Sequence, residues 1–396
     1  MTDRSLFIYI IDDVSSTSLD VQSNYNDDII TRYFDLVFWD IRGLNDSWRV
    51  KNKQKRGSAL SNNLFLLNTL SEIATEIEKN TYRPQVILFS GKLAFWNRPF
   101  FRFIERRGIP YFFRRNKSSF FSNTTQNILA SKQNMMNPHH KTINSIYHLI
   151  LNSGMLQLGI KGPDLLFLGT RHDKQHIYFP YHESRIMYTH TKDYDLYLRA
   201  NVKPESESDF ILFVDQYIPF HSETRNLGID PTLFYKNIVD TLTILSTSLK
   251  KEIRFAAHPS SDLNILKTYV PERLLVIGKT HEMIIRSSFV VTINSSTVLS
   301  AYLAQKPVVL ITMLNQFTES FNLATHDLES HFLTHSIDIS DPLFVQKVKH
   351  ELSDYRWNES VYNEYIKHPN TPEKLEFEII CETIQTYLVN IPGTAA

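Results

Sequence analysis

Four short clusters in the second half of the chain carry the residue types that handle an anion or a nucleotide. Asp215-Gln216 follows the apolar run 210–214, and His258-Pro259-Ser260-Ser261 follows 253–257. Gly278-Lys279-Thr280 follows 274–277, and Asn294-Ser295-Ser296-Thr297 follows 289–293. The hydroxyls of Ser295, Ser296 and Thr297 stand where a helix should open. A helix start offers unpaired backbone N–H groups and the positive end of the helix dipole, so added hydroxyl donors there suit a phosphate. Ordinary N-capping by a single serine is the alternative. Pro259 stops the strand and keeps His258 out of helical geometry. That would fix an imidazole at the strand end, able to donate to a phosphate or to give a proton to a leaving group near neutral pH. A turn histidine without a task is the alternative. Asp215 has the chemistry of a base, of a cap, or of a nucleophile that attacks an electrophilic sugar carbon. Gly278-Lys279-Thr280 has the ending of a phosphate-binding P-loop, but the earlier glycine of that motif would fall on Arg273, which excludes it.

These clusters need strands to deliver them. Short continuous apolar runs alternate with helix-like stretches along the chain, the pattern of buried parallel strands joined by helices. In the first half the runs are 6–11, 36–39, 86–89, 109–113 and 165–168, and Leu64, Leu67, Leu70, Ile73 and Ile77 predict one helix over 60–79. In the second half, strands 210–214, 253–257, 274–277, 289–293 and 307–311 alternate with helices at 233–249, 262–269, 281–286 and 297–305. Ligands of open α/β sheets bind beyond the carboxyl ends of the strands, which is where all four clusters fall. A polar stretch between Thr170 and Lys203 marks a joint. The expected division is 1–180, 195–370, and a C-terminal helix and tail over 371–396.

Composition narrows the function. The chain has 396 residues, enough for two domains. Its 42 Lys+Arg balance 42 Asp+Glu, which disfavours a nucleic-acid binder. The single cysteine, Cys381, requires no oxidising compartment, and the first apolar run ends after six residues at Asp12-Asp13, too soon for a signal segment. The expected location is the cytoplasm. Between Lys92 and Lys117, eight basic residues are interleaved with Phe95, Trp96, Phe100, Phe101, Phe103, Tyr111, Phe112 and Phe113. That pattern fits contact with the inner face of an anionic membrane or with a glycolipid, and equally a core helix and strand with a charged outer face. Metal chemistry finds little support. Asp193-Tyr194-Asp195 has the spacing of metal-dependent sugar transferases but follows a polar stretch, and His139-His140 and His172/His176 lack companions.

The block from Phe289 to Val309, with its paired serines Ser295-Ser296, together with His258-Pro259 after a strand, resembles bacterial surface-carbohydrate glycosyltransferases of the GT-B fold. Specifically, it resembles enzymes that use CMP-activated acidic sugars such as Kdo and the sialic-acid-like nonulosonic acids. Asp215 within Phe213-Val-Asp-Gln and Asp193-Tyr-Asp look like the same lineage, and the resemblance runs from about Leu165 to Ile311. It implies an α/β protein with two Rossmann-like domains whose parallel sheets face a central cleft. It also implies an acceptor-binding first domain and a second domain that holds a CMP-sugar. The implied nucleotide-sugar site comprises His258, Pro259, Gly278, Lys279, Thr280, Glu282, Ser295, Ser296 and Thr297, with Asp215 and His258 catalytic. No cofactor or metal is implied, and the acceptor is a glycan or glycolipid. The chain departs from the family in lacking an Asp/Glu-Asp-Gly motif in its first half, since Val14 follows Asp12-Asp13. That leaves an acceptor-side base unassigned and gives weight to a retaining route through Asp215. A UDP-sugar or CDP-polyol transferase, or a non-catalytic nucleotide-sugar-binding assembly protein, are the alternatives.

Overall fold

A computed structural model describes residues 4–11, 27–44, 63–90, 97–115, 160–173, 184–200, 210–220, 228–293, 295, 297–313, 328–332 and 334–390. The chain divides into two compact units, each built on one parallel sheet. The first sheet comprises β1 (Leu6–Ile11), β2 (Asp35–Asp40), β3 (Leu64–Leu66), β4 (Gln85–Phe89), β5 (Tyr111–Arg115), β6 (Leu165–Leu168) and β7 (Arg185–Tyr188), with helices α1 (Asp27–Tyr33), α2 (Leu70–Glu78) and α3 (Arg98–Arg106). Its strand order is β3-β2-β1-β4-β5-β6-β7. Continuous burial of β1, β4 and β6 explains why these strands read as unbroken apolar runs: both sheet faces are covered. On one face Ile8, Ile10, Ile87 and Phe89 meet Ile73 and Ile77 of α2 and Phe100, Phe101 and Ile104 of α3. Each such side chain, fully buried, stabilises the fold by roughly 1.5–3 kcal/mol.

The second unit carries β8 (Phe210–Val214), β9 (Glu252–Ala256), β10 (Leu275–Val276), β11 (Phe289–Thr292), β12 (Val308–Thr312) and β13 (Ser336–Asp338). Its helices are α4 (Lys192–Ala200), α5 (Pro231–Leu249), α6 (Leu263–Leu266), α7 (Thr280–Arg286), α8 (Val298–Leu303), α9 (Phe344–Asp354) and α10 (Glu359–Tyr365). The order β10-β9-β8-β11-β12-β13 is again all parallel and corresponds to the 3-2-1-4-5-6 order of a doubly wound sheet. One face packs on α5 and α9 through Ile211, Phe213, Phe255, Val291, Phe234, Ile238 and Val348. The other packs on α4, α7, α8 and α10 through Leu212, Val214, Val290, Ile284, Leu299 and Val361. A last helix, α11 (Glu376–Val389), lies in the stretch 371–396 and packs on α1 within the first unit.

One reading differs from the sequence expectation. The helix expected over 60–79 is a strand followed by a shorter helix. Phe38 pairs with Leu64 to add β3 to the sheet edge, and the Thr69 hydroxyl accepts the Glu72 backbone N–H and starts α2 there. The basic aromatic segment turns its described rings inward. Phe100, Phe101 and Phe112 are fully buried, and Arg114 and Arg107 pair with Glu376 and Glu78. Phe103 packs partly buried against the same core, and Phe95 and Trp96 lie outside the described residues. No helix among the described residues is long and apolar enough to cross a membrane.

Candidate functional site

In the second sheet the chain leaves β8 for β9 on one side and later returns to place β11 on the other, so the β8/β11 boundary is the topological switch point. The register brings the strand ends level. Val214 pairs with Ala256, the Asp215 N–H donates to the Ala256 carbonyl at 3.0 Å, and the Thr292 hydroxyl donates to the Val214 carbonyl at 3.2 Å. The Ala257 N–H donates to the Val276 carbonyl at 3.0 Å, which carries the ladder to β10. Asp215, His258, Gly278 and Ser295 therefore share one carboxyl edge.

Asp215 turns to the face covered by α5. Ile211 and Phe213 point to the α5 side, and alternation sends Asp215 the same way, where the Tyr235 hydroxyl of α5 donates to its Oδ2 at 3.3 Å. Asp215 is 2% exposed. Burial pushes its carboxyl up to about 7, against the lowering pull of the Tyr217 backbone N–H, the Tyr235 hydroxyl and the Gln216 backbone N–H. Tyr217 holds the left-handed region at φ 54°, rare for a non-glycine residue, so the turn after β8 is strained around this carboxylate. Among the described residues this carboxyl meets the Tyr235 hydroxyl and the backbone of the turn that ends β8.

Ala256 points to the opposite side, where α7 and α8 lie, and His258 follows half-buried in the turn after β9. The Ser260 backbone N–H donates to His258 Nδ1 at 3.1 Å, and the Ser261 N–H donates to the His258 carbonyl at 2.9 Å. Because Nδ1 accepts, the neutral imidazole carries its proton on Nε2, the form that donates to a phosphate oxygen. Pro259 is exposed in the same turn. Ser295 is buried, and its hydroxyl oxygen accepts from the Thr297 N–H at 3.2 Å and from the Thr297 hydroxyl at 2.7 Å. Both acceptor positions are used, so the Ser295 proton remains available for donation. Ser295 thus braces Thr297, the residue before α8, and keeps a donor. Ser296 and Asn294 lie outside the described residues.

Gly278 adopts φ +70°, and a Cβ there would meet nothing within 4 Å, so the backbone conformation and not space calls for glycine. Ile277, Gly278 and Lys279 are exposed, with Ile277 at 53%. Glu282 pairs with Arg286 at 3.2 Å, one turn along α7.

A polar cluster missed from the sequence sits where α4, α7 and α8 meet. Ser300 Oγ is 2.9 Å from Asp193 Oδ1 and 2.9 Å from His281 Nδ1. Burial raises the Asp193 carboxyl and lowers the His281 imidazole, and each opposes that shift in the other. The Asp193-Tyr194-Asp195 spacing therefore opens a helix and serves an internal hydrogen bond. The sequence signal was weak, because the partners of Ser300 lie 107 and 19 residues away.

No protein-family model matches the chain, and no curated protein matches it in sequence. Solved structures do match its fold. UDP-GlcNAc 2-epimerase from Methanocaldococcus jannaschii has 14% identity and a TM-score of 0.50, over 97% of this chain and 99% of that one. CalG4, the calicheamicin glycosyltransferase, has 11% identity and a TM-score of 0.50, over 99% of this chain and 100% of that one. The class these define is architectural: two parallel-sheet α/β Rossmann-like domains, as in GT-B glycosyltransferases. The likeness extends over the first 160 residues, where the sequence resembled that group only in α/β style.

Proposed function

We propose that this chain is a GT-B glycosyltransferase whose second unit binds a nucleotide sugar at the carboxyl edge of its sheet. The observation that supports it is that Asp215, His258, Gly278 and Ser295 stand at one carboxyl edge beside the switch point, where the Ser295 hydroxyl has both acceptor positions filled by Thr297. The donor we infer is a CMP-activated acidic sugar, a nonulosonic acid or Kdo, and the acceptor a cell-surface glycan. The His258-Pro259 and Ser295-Ser296 pairs support that choice. Ile277 and the Gly278–Thr280 turn offer an exposed apolar shelf for the base and ribose.

When the sugar leaves, negative charge gathers on the nucleotide phosphate. Donors fixed before the reaction stabilise that charge more than they stabilise the bound substrate. His258 and Ser295 supply such donors, and we assign Asp215 to holding the β8 turn and not to a covalent intermediate. A thermal-shift panel of CMP, CDP and UDP tests the donor class: CMP should raise the midpoint most. His258→Ala and Ser295→Ala should each lower CMP-sugar turnover by about 10²-fold, as loss of one such donor does elsewhere. A larger shift with UDP would move the assignment to a UDP-sugar transferase. Near-normal turnover in both variants would remove the site.

A further inference from the structure

His281 is the one titratable side chain in the 278–282 segment that is bound inward through one ring nitrogen and has a second nitrogen to spare. Its Nδ1 meets Ser300 Oγ at 2.9 Å, and the same oxygen meets Asp193 Oδ1 at 2.9 Å. Among the described residues its Nε2 makes no hydrogen bond, although the residue is only partly buried and opens α7 directly after the exposed Gly278-Lys279 turn. Ser300 itself is 3% exposed, so the inner part of the chain is sealed. We propose that Asp193, Ser300 and His281 form a proton relay whose outer end, His281 Nε2–H, donates to the departing phosphate of the donor nucleotide. The proposal rests on the nucleotide-sugar reading given above and adds a proton source to it.

The hydrogen-bond arithmetic defines two states. A hydroxyl has one proton to give, so Ser300 can donate to only one of its two neighbours at a time. With one proton shared by the acid and the ring, either the Asp193 carboxylic acid donates to Ser300 and Ser300 to Nδ1, or protonated Nδ1 donates to Ser300 and Ser300 to the Asp193 carboxylate. In both arrangements Nε2 carries a hydrogen. Losing that shared proton leaves Nδ1–H, Ser300 and an Asp193 carboxylate, with Nε2 now an acceptor. The relay is thus a donor in its protonated form and an acceptor in its deprotonated form, and the pair titrates as a unit. Burial of both groups favours the net-neutral, donating form. The charges that act on His281 from its surroundings are Asp193 and Lys192, both on α4, and α8 presents only the Ser300 hydroxyl.

In the reaction, the bond between the anomeric carbon and the phosphate oxygen breaks, and its electron pair stays on that oxygen. The oxygen takes the Nε2 proton, and the remaining relay proton arrangement leaves the negative charge on Asp193. The acceptor hydroxyl oxygen bonds to the anomeric carbon and releases its proton to solvent, from which the relay is recharged. His281 is the catalytic residue, and Ser300 and Asp193 are positioning residues that act through it.

The test uses the full chain labelled with ¹⁵N-histidine, with CMP as the probe and His281→Gln to assign the signals. The expected result is a protonated His281 Nε2 near neutral pH, whose resonance moves on adding CMP and whose deprotonation shifts about one pH unit upward in the complex. If CMP raises the thermal midpoint or moves His258 signals while His281 is unaffected, the relay is overturned and the nucleotide site stands. If no histidine and no midpoint responds to CMP, the nucleotide reading fails and the relay with it. In turnover of a CMP-sugar, His281→Gln should lower kcat about 10²-fold with KM changed by only a few-fold, and should abolish the alkaline limb of the pH profile. Ser300→Ala should weaken that limb and Ser300→Thr restore it, a pattern that loss of packing alone would not produce.

Discussion

The Asp215 carboxyl is the residue on which local geometry and pH meet most directly. Burial raises it to about 7 in the folded protein from an ordinary value of 3.8. Between those values the folded state binds a proton that the unfolded state releases, so this group's contribution to stability is present below about pH 4 and is lost as the pH rises through about 7. The loss amounts to at most about 1.4 kcal/mol per pH unit over that window. Asp215→Asn keeps the shape and removes the titration. Unfolding in urea at pH 5 and pH 8 should therefore show the variant gaining on the parent as the pH rises. An equal difference at both pH values would mean that the carboxyl is not buried as described. At this scale the sequence was legible wherever a motif and its strand lie side by side in the chain. Ser295 and His258 could be placed because Phe289–Thr292 and Glu252–Ala256 run straight into them. The face to which Asp215 turns, and its Tyr235 partner 20 residues away, emerge only when α5 packs on the sheet.

Among the elements, α5 shows how a helix is bounded by its caps. Asp230 accepts the Thr232 and Leu233 N–H groups and Pro231 fills the first turn, where its missing N–H costs nothing. The helix ends at Lys250, whose φ of 53° is left-handed, the position helices usually give to glycine. An L-residue there costs about 1–2 kcal/mol, of which the extra freedom of glycine in the unfolded chain returns part. Lys250→Gly should thus stabilise the second unit by about 0.5–1 kcal/mol, read as a higher urea midpoint. An unchanged or lower midpoint would mean that the lysine stem contributes packing worth the strain. Elements buried on both faces, such as β1 and β8, could be read from composition alone. β3, β7 and β13 could not: three or four residues long and mostly half-exposed, they carry too few apolar positions to show a period. Their identity as strands comes from the neighbour each one pairs with.

At the scale of the molecule the two units differ in how the chain composes them. The described residues of the second unit run in one stretch, 191–367, whereas the first gathers residues before 116, residues 160–190 and the returning segment from 368 onward. Its closure depends on α11. Arg114 of β5 donates through Nε to Glu376 Oε1 at 2.8 Å and through a second nitrogen to Oε2. The Glu376 side chain is 2% exposed, and the guanidinium lies over the Phe377 ring at 4.9 Å. Around this pair, Phe377, Ile380, Cys381 and Ile384 join the core formed by Phe7, Phe34 and Phe112. An ion pair enclosed in this way need not outperform a hydrophobic replacement, but removing one partner strands the other charge. Glu376→Ala should therefore cost the first unit about 3–5 kcal/mol. Because 191–367 contains every strand and helix assigned to the nucleotide site, CMP affinity should be unchanged. Hydrogen exchange resolved by peptide would then rise in β1, β5 and α1 while β8, β9 and β11 stay protected. Faster exchange in both units together, or a loss of CMP binding, would show that the two fold as one cooperative body and that the nucleotide site depends on the closure made by α11.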